Sequence, residues 1–167
     1  VKDLLNRILK SGLTRVVIIS GRETSEVIEL LGLESSPEVW GSHGLVRRLP
    51  NGKVELAEEI EISAPRLASA EEQIETAGLA ERLEKKPGCL AIHVRGLDIR
   101  DRNIVLEKAL GILSPLAGKE GLLLRDFDGG VELRVAGRDK GFAVKRILEE
   151  EPPDAIAAYL GDDLTDE

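Results

Sequence analysis

The chain has 167 residues and a mass of 18.1 kDa, enough for one domain or one domain carrying a sizeable insert. Apolar residues make up 42% and charged residues 32%, which excludes a disordered chain, and the apolar runs fall far short of the ~20 residues a bilayer span needs. Acids outnumber bases 31 to 23 and aromatics are only 2%, so there is neither the basic surplus nor the stacking surface that a nucleic-acid partner would require.

Residues 3–11 place Leu4, Leu5, Ile8 and Leu9 on one helix face, with Gly12 as a stop. Arg15 to Ser20 carries four consecutive β-branched apolar residues, the pattern of a parallel strand buried on both faces. Ser20 with Glu23 three residues on has capping-box spacing, and predicts a helix through Val27 and Leu31 that ends at Gly32. Val39-Trp40 runs into the loop Gly41-Ser42-His43-Gly44. Asn51-Gly52 then separates two alternating runs, a hairpin signal.

From 64 to 85 the pattern is helical, and Lys86-Pro87-Gly88 breaks it before a strand over 89–94. Residues 101–113 read as a helix. Two strands, 122–125 and 131–135, flank Asp126-Phe127-Asp128-Gly129-Gly130. A helix over 141–150 precedes a last buried strand, 155–160, and the acidic end Asp162-Asp163-Leu164-Thr165-Asp166-Glu167. The two ends thus read as α/β (1–63 and 136–167), and 64–135 as an inserted α+β unit.

Three features carry possible chemistry. Asp162, Asp163, Asp166 and Glu167 crowd the C-terminal end of the predicted last strand, the edge where open α/β sheets bind ligands, and hard carboxylate oxygens suit Mg²⁺. The same acids would equally begin a solvated helix, complementing its dipole. Lys140 sits at a helix start, where a cation runs against the dipole; it would either hold an anion or point to solvent. Ser20 and the N–H groups after it would make an anion site or an ordinary cap. Together a hydroxyl, an ammonium and carboxylates form the inventory of a Mg²⁺-dependent phosphotransfer site.

At these residues the sequence resembles the haloacid dehalogenase-like superfamily, and within it the trehalose-6-phosphate phosphatase family. Ile19-Ser20-Gly21-Arg22 is similar to the second family motif, Lys140 to the motif-three lysine, and Gly161-Asp162-Asp163-Leu164-Thr165-Asp166-Glu167 to the fourth motif. Between them, Gly41-Ser42-His43-Gly44, Lys86 with His93-Val94-Arg95, and Glu132-Leu133-Arg134 resemble family segments in the family order. The resemblance implies a Rossmann-like core, a parallel sheet with helices on both faces, with an inserted α+β cap. It also implies hydrolysis of trehalose 6-phosphate. On this basis Ser20 and Lys140 would hold the phosphoryl group, with Asp166 supporting the site. Asp162 and Asp163 would bind Mg²⁺, and Arg22, His43, Lys86, Arg95, Glu132 and Arg134 would face substrate.

Val46, Val94 and Val135 depart from the family pattern in the sugar-facing segments. The family nucleophile lies in an Asp-X-Asp-Gly-Thr motif upstream of the first helix here. Asp126-Phe127-Asp128-Gly129-Gly130 lacks the threonine and reads as a turn between cap strands. The chain has no methionine, so the expectation is a piece of a longer phosphatase, inactive alone.

The single cysteine, Cys89, permits no internal disulfide and reads as core; a reducing, cytoplasmic compartment is the simplest expectation. With two histidines fifty positions apart, a transition-metal site is not expected. Trp40 and His93 read as packed, and Glu149-Glu150-Glu151 as solvated surface. Alternatives are a phosphatase for another sugar phosphate and a non-catalytic domain of this fold that binds a sugar phosphate or regulates a trehalose-phosphate synthase. A doubly wound signalling module would share the acids and the lysine but carry no insert.

Overall fold

The computed structural model describes residues 1–119 and 121–161. The chain divides into two compact units, Val1–Leu56 with Gly137–Glu167, and Ala57–Ala136. The first unit opens with α1 (Lys2–Ser11), β1 (Val17–Ile19), α2 (Thr24–Leu31), β2 (Glu38–Gly41), β3 (Val46–Arg48) and β4 (Val54–Leu56). The second follows with α3 (Glu58–Thr76), β5 (Leu83–Lys86), β6 (Cys89–His93), α4 (Ile99–Leu113), β7 (Leu122–Phe127) and β8 (Gly130–Val135). The chain then returns to the first unit as α5 (Lys140–Glu150). Among the described residues no helix is long and apolar enough to cross a membrane.

The first unit holds a sheet of order β1-β2-β3-β4, in which β1 pairs parallel with β2 and the other neighbours are antiparallel. Gly12 and Gly32 end α1 and α2 in the left-handed conformation, as the sequence predicts. Three expectations fail here. β1 is half-buried rather than enclosed, because among the described residues it has a neighbour on one side only. Residues 155–160 form no strand, and Ile156 and Leu160 are 100% and 95% exposed. Apolar composition fits a segment for burial but cannot provide the hydrogen-bonded neighbour that makes it a strand. Finally, Ser20 does not cap α2, which starts at Thr24; the Ser20 hydroxyl instead accepts from Arg22 N at 3.1 Å and closes a turn.

The second unit is a four-stranded antiparallel sheet of order β5-β6-β8-β7. Leu90, Ile92, Val131, Leu133 and Val135 alternate onto one face, are buried, and meet α3 and α4. The helix expected over 64–85 is displaced: α3 begins at Glu58, and 83–86 is the edge strand β5. Leu-Glu-Lys-Lys is locally neutral to helical, but the tight turn at Pro87-Gly88 folds it against β6, and pairing decides the outcome.

The far end of α5 is tied to the first sheet by a network around Glu38, whose side chain is 5% exposed. Glu38 accepts from Arg15 at 2.8 and 3.0 Å, from Arg47 Nε at 2.8 Å and from Trp40 Nε1 at 2.8 Å. The same two arginines reach Glu150 and Glu151, the latter at 2.6 Å. These acids, read from sequence as solvated, sit where the helix dipole disfavours negative charge, and the guanidiniums offset that cost. Burial opposes the charge on Arg15, but its hydrogen bonds to Glu151, Glu150 and Glu38 outweigh it and push its pKa up. Trp40 is buried and lies under Arg47, 5.1 Å from the ring centroid.

The Arg47 hydrogen bond holds the Glu150 carboxyl below its ordinary value of 4.5, against the opposing effect of burial. A depressed carboxylate pKa adds stability above the unfolded pKa and loses it as pH falls through the folded value. Glu150→Gln is therefore expected to cost about 1 kcal/mol at neutral pH. Thermal unfolding against pH should show this deficit shrinking below pH 4.5.

Candidate functional site

The first unit gathers three chain segments around one short loop. Beyond β1, Ser20 N donates to Trp40 O at 2.8 Å, so β1 and β2 leave the sheet side by side. The residues after β2 then bond back to the Ser20 turn. Ser42 N donates to Arg22 O at 2.8 Å and His43 N donates to Ser20 O at 3.3 Å. Gly41 makes this approach possible: a Cβ there would stand 2.8 Å from Arg22 O and from Thr24 N.

The loop is held in an unfavourable conformation. Ser42 and His43 both have left-handed backbones, with φ of 48° and 56°. Each such residue costs on the order of 1–3 kcal/mol, and such strain concentrates at functional sites. The buried Ser42 hydroxyl has no hydrogen bond among the described residues, a further cost of about 1–3 kcal/mol. Gly44 leaves the loop with φ of 88°, and its Cα side faces α5: a Cβ there would lie 3.0 Å from Asp139 O. Asp139 caps α5, its carboxylate accepting from Phe142 N at 2.7 Å, and Lys140 is the first helical residue. Arg138 lies over the Phe142 ring at 4.0 Å.

One loop thus touches the Ser20 turn on one side and the residue before Lys140 on the other. A hydroxyl and an ammonium are donor types that suit an anion. Arg22 contributes backbone to this cluster, but its guanidinium is exposed and pairs with Glu26 along α2. Asp162, Asp163, Asp166 and Glu167 lie outside the described residues. Among those described, no group of three or more His, Cys, Asp or Glu side chains is placed to hold a metal ion.

The second unit presents a polar sheet face opposite its helices. The registers Lys86↔Cys89↔Arg134 and Glu84↔Ala91↔Glu132↔Arg125 put these side chains on one face, with His93 at its end. Glu84 accepts from or pairs with Lys86 at 3.0 Å and His93 at 2.7 Å, and Phe127 meets His93 edge-on at 5.4 Å. Burial opposes the charge on Glu84, but His93 and Lys86 outweigh it and hold its carboxyl below the ordinary range. Arg134 Nε is buried without a hydrogen bond among the described residues, 3.6 Å from Glu132.

Lys86, Glu132 and Arg134 therefore share a surface. Arg95 does not join them: it follows the strand, is 76% exposed, and pairs with Asp128 in the β7–β8 turn. Glu84 and Arg125 were not singled out from sequence. The signal was the two-residue spacing of Glu84 and Lys86, concealed because 83–86 reads as helix. Asp126 lies in β7 opposite Val131, so the Asp-Phe-Asp-Gly-Gly segment is a hairpin. Burial, reinforced by Glu132, pushes the Cys89 thiol up to about 12, which removes it as a nucleophile.

The chain is similar in sequence and fold to known proteins. A trehalose-phosphate phosphatase of Mycobacterium marinum is 30% identical over 163 residues, covering 91% of this chain and 40% of the relative. One from Mycobacterium tuberculosis is 29% identical over the same span. The chain thus spans about two fifths of the length of the curated relatives it matches. Among solved structures, a trehalose-6-phosphate phosphatase related protein superposes with a TM-score of 0.74 at 19% identity, over 99% of this chain and 68% of that one. A haloacid dehalogenase-like hydrolase from B. subtilis superposes with a TM-score of 0.57 at 15% identity, over 90% and 72%. These two show the fold, mixed α/β of the haloacid dehalogenase-like kind. The sequence profile of the Trehalose-phosphatase family matches residues 1–167, and the chain belongs to that family.

Proposed function

We propose that this chain supplies the phosphoryl-holding and sugar-reading parts of a phosphatase that hydrolyses trehalose 6-phosphate to trehalose and phosphate. The observation that carries this reading is the Ser42–Gly44 loop, in contact with both the Ser20 turn and Asp139. The first unit acts as the core and the second as the cap. The Ser20 hydroxyl donates to a phosphoryl oxygen. The Lys140 ammonium neutralises charge that builds there in the transition state, where fixed donors are worth most. On the sheet face of the cap, Lys86, Glu84, Glu132 and Arg134 offer alternating donors and acceptors to sugar hydroxyls. Arg22 and Arg95 are assigned weaker, peripheral contacts.

Asp162 and Asp163 are the residues we assign to Mg²⁺, and Asp166 is assigned to their support; hard carboxylate oxygens are the donor set that ion takes. Bound there, the ion would offset phosphate charge. The 167 residues contain no Asp-X-Asp-Gly-Thr segment, and we assign the nucleophile to such a segment acting with them. A second reading is a non-catalytic sugar-phosphate-binding domain that regulates a trehalose-phosphate synthase. One buried cysteine fits a reducing, cytoplasmic setting.

Two measurements separate these readings. A polypeptide carrying these residues behind an Asp-X-Asp-Gly-Thr segment is expected to release phosphate from trehalose 6-phosphate with Mg²⁺. Ser20→Ala and Lys140→Ala should each lower kcat by about 10²-fold or more. Loss of neither activity nor phosphate release in these variants would remove both residues from the site, and an inactive parent would favour the regulatory domain. Glu132→Gln and Arg134→Met are expected to raise KM for trehalose 6-phosphate about tenfold while leaving turnover of p-nitrophenyl phosphate unchanged. Equal losses on both substrates would show that the cap face does not read the sugar.

A further inference from the structure

The half-buried imidazole of His43 lies directly across Gly21, the residue after Ser20. A Cβ built on Gly21 would stand 2.7 Å from His43 Cε1, 3.0 Å from Nε2 and 3.3 Å from Nδ1. Three atoms of one ring therefore cover that Cα, closer than any side chain at position 21 would allow. The backbone beneath is joined as well, His43 N donating to Ser20 O and Ser42 N to Arg22 O. Ring and backbone together grip the turn from Ser20 to Arg22 from one side. The grip depends on the left-handed conformations of Ser42 and His43, since an extended loop would carry the ring away from Gly21.

We propose that His43 is a positioning residue rather than a substrate contact: its ring, packed on Gly21, fixes the turn that aims the Ser20 hydroxyl. This rests on the phosphatase reading, in which Ser20 holds the phosphoryl group. A glycine at 21 and a histidine in a strained loop at 43 are then two halves of one device. Neither half is explained by α2, whose first helical residue is Thr24, nor by the sheet, which ends at Ile19 on that strand. A donor held to within a fraction of an ångström matters because small misplacements at a reacting centre cost large factors in rate.

The device makes a coupling that a double-mutant cycle can read. The active polypeptide described above is compared as wild type, Gly21→Ala, His43→Ala and the double variant, with thermal midpoints and with kcat and KM for trehalose 6-phosphate and p-nitrophenyl phosphate. His43→Ala is expected to lower kcat about tenfold on both substrates with KM little changed. Gly21→Ala should lower kcat about a hundredfold, because the methyl displaces the ring and the turn together. The double variant should recover to within a few-fold of His43→Ala, since the methyl then has nothing to strike.

Losses that simply multiply in the double variant overturn the proposal. So does a His43→Ala effect confined to KM for the sugar phosphate, which would make the ring a substrate contact. If Gly21→Ala does not fold, recovery of both the thermal midpoint and turnover in the double variant supports the clamp, and failure to recover overturns it. A wild-type polypeptide without phosphatase activity overturns the phosphatase reading and this proposal with it, whereas an active wild type with multiplying losses overturns the clamp alone.

Discussion

The reversal of the chain after β2 is the constraint on which the first unit's candidate site depends. Two backbone hydrogen bonds fasten Ser42 and His43 to the Ser20 turn, and the close approach of Gly44 to Asp139 fastens the same loop to α5. Two glycine positions permit this: Gly41 passes against Arg22 and Thr24, and Gly21 lies under the His43 ring. Ser42 and His43 adopt left-handed conformations that neither residue favours, and the surrounding contacts over-determine them. Strain held this way costs stability and yields order: a hydroxyl and a lysine that are 120 positions apart in sequence are referred to one short loop.

The opposite end of α5 has its own anchor. Arg15 and Arg47 bridge the buried Glu38 to Glu150 and Glu151. Such a network contributes little net stability, because removing four or five charges from water offsets most of their attraction. Its effect is geometric. With Asp139 packed on Gly44 and Glu150 gripped by two guanidiniums, α5 is held at both ends. Buried polar groups that set a unique register in this way are sensitive to the loss of one partner, which strands a charge.

Much of this was legible in the sequence where the cause is local. Gly12 and Gly32 end their helices, Asn51-Gly52 turns a hairpin, and Asp128-Gly129 turns another, because each needs only the conformational freedom of its own residues. What was not legible is decided at a distance. Leu83 to Lys86 becomes a strand only because β6 lies beside it, and that pairing brings Glu84 onto the polar face with Lys86. Residues 155–160 have strand composition and no strand, for want of a neighbour among the described residues. Ser20 and Glu23 match a capping box, yet the hydroxyl closes a turn, since a second loop must pack against it. The contacts of Glu150 with Arg15 and Arg47 span 135 and 103 positions, beyond any spacing rule. For the candidate site, residue types announced themselves and placements did not: strand pairing puts Lys86, Glu132 and Arg134 on one face, whereas Arg95 pairs with a turn aspartate.

The central claim is that Ser20 and Lys140 grip the same phosphoryl group. A crystal structure of the active polypeptide with bound tungstate tests it most directly. The account predicts one tungstate whose oxygens accept from both Ser20 Oγ and Lys140 Nζ within ~3 Å. An anion held by only one of them, or bound away from the Ser42–Gly44 loop, would contradict it.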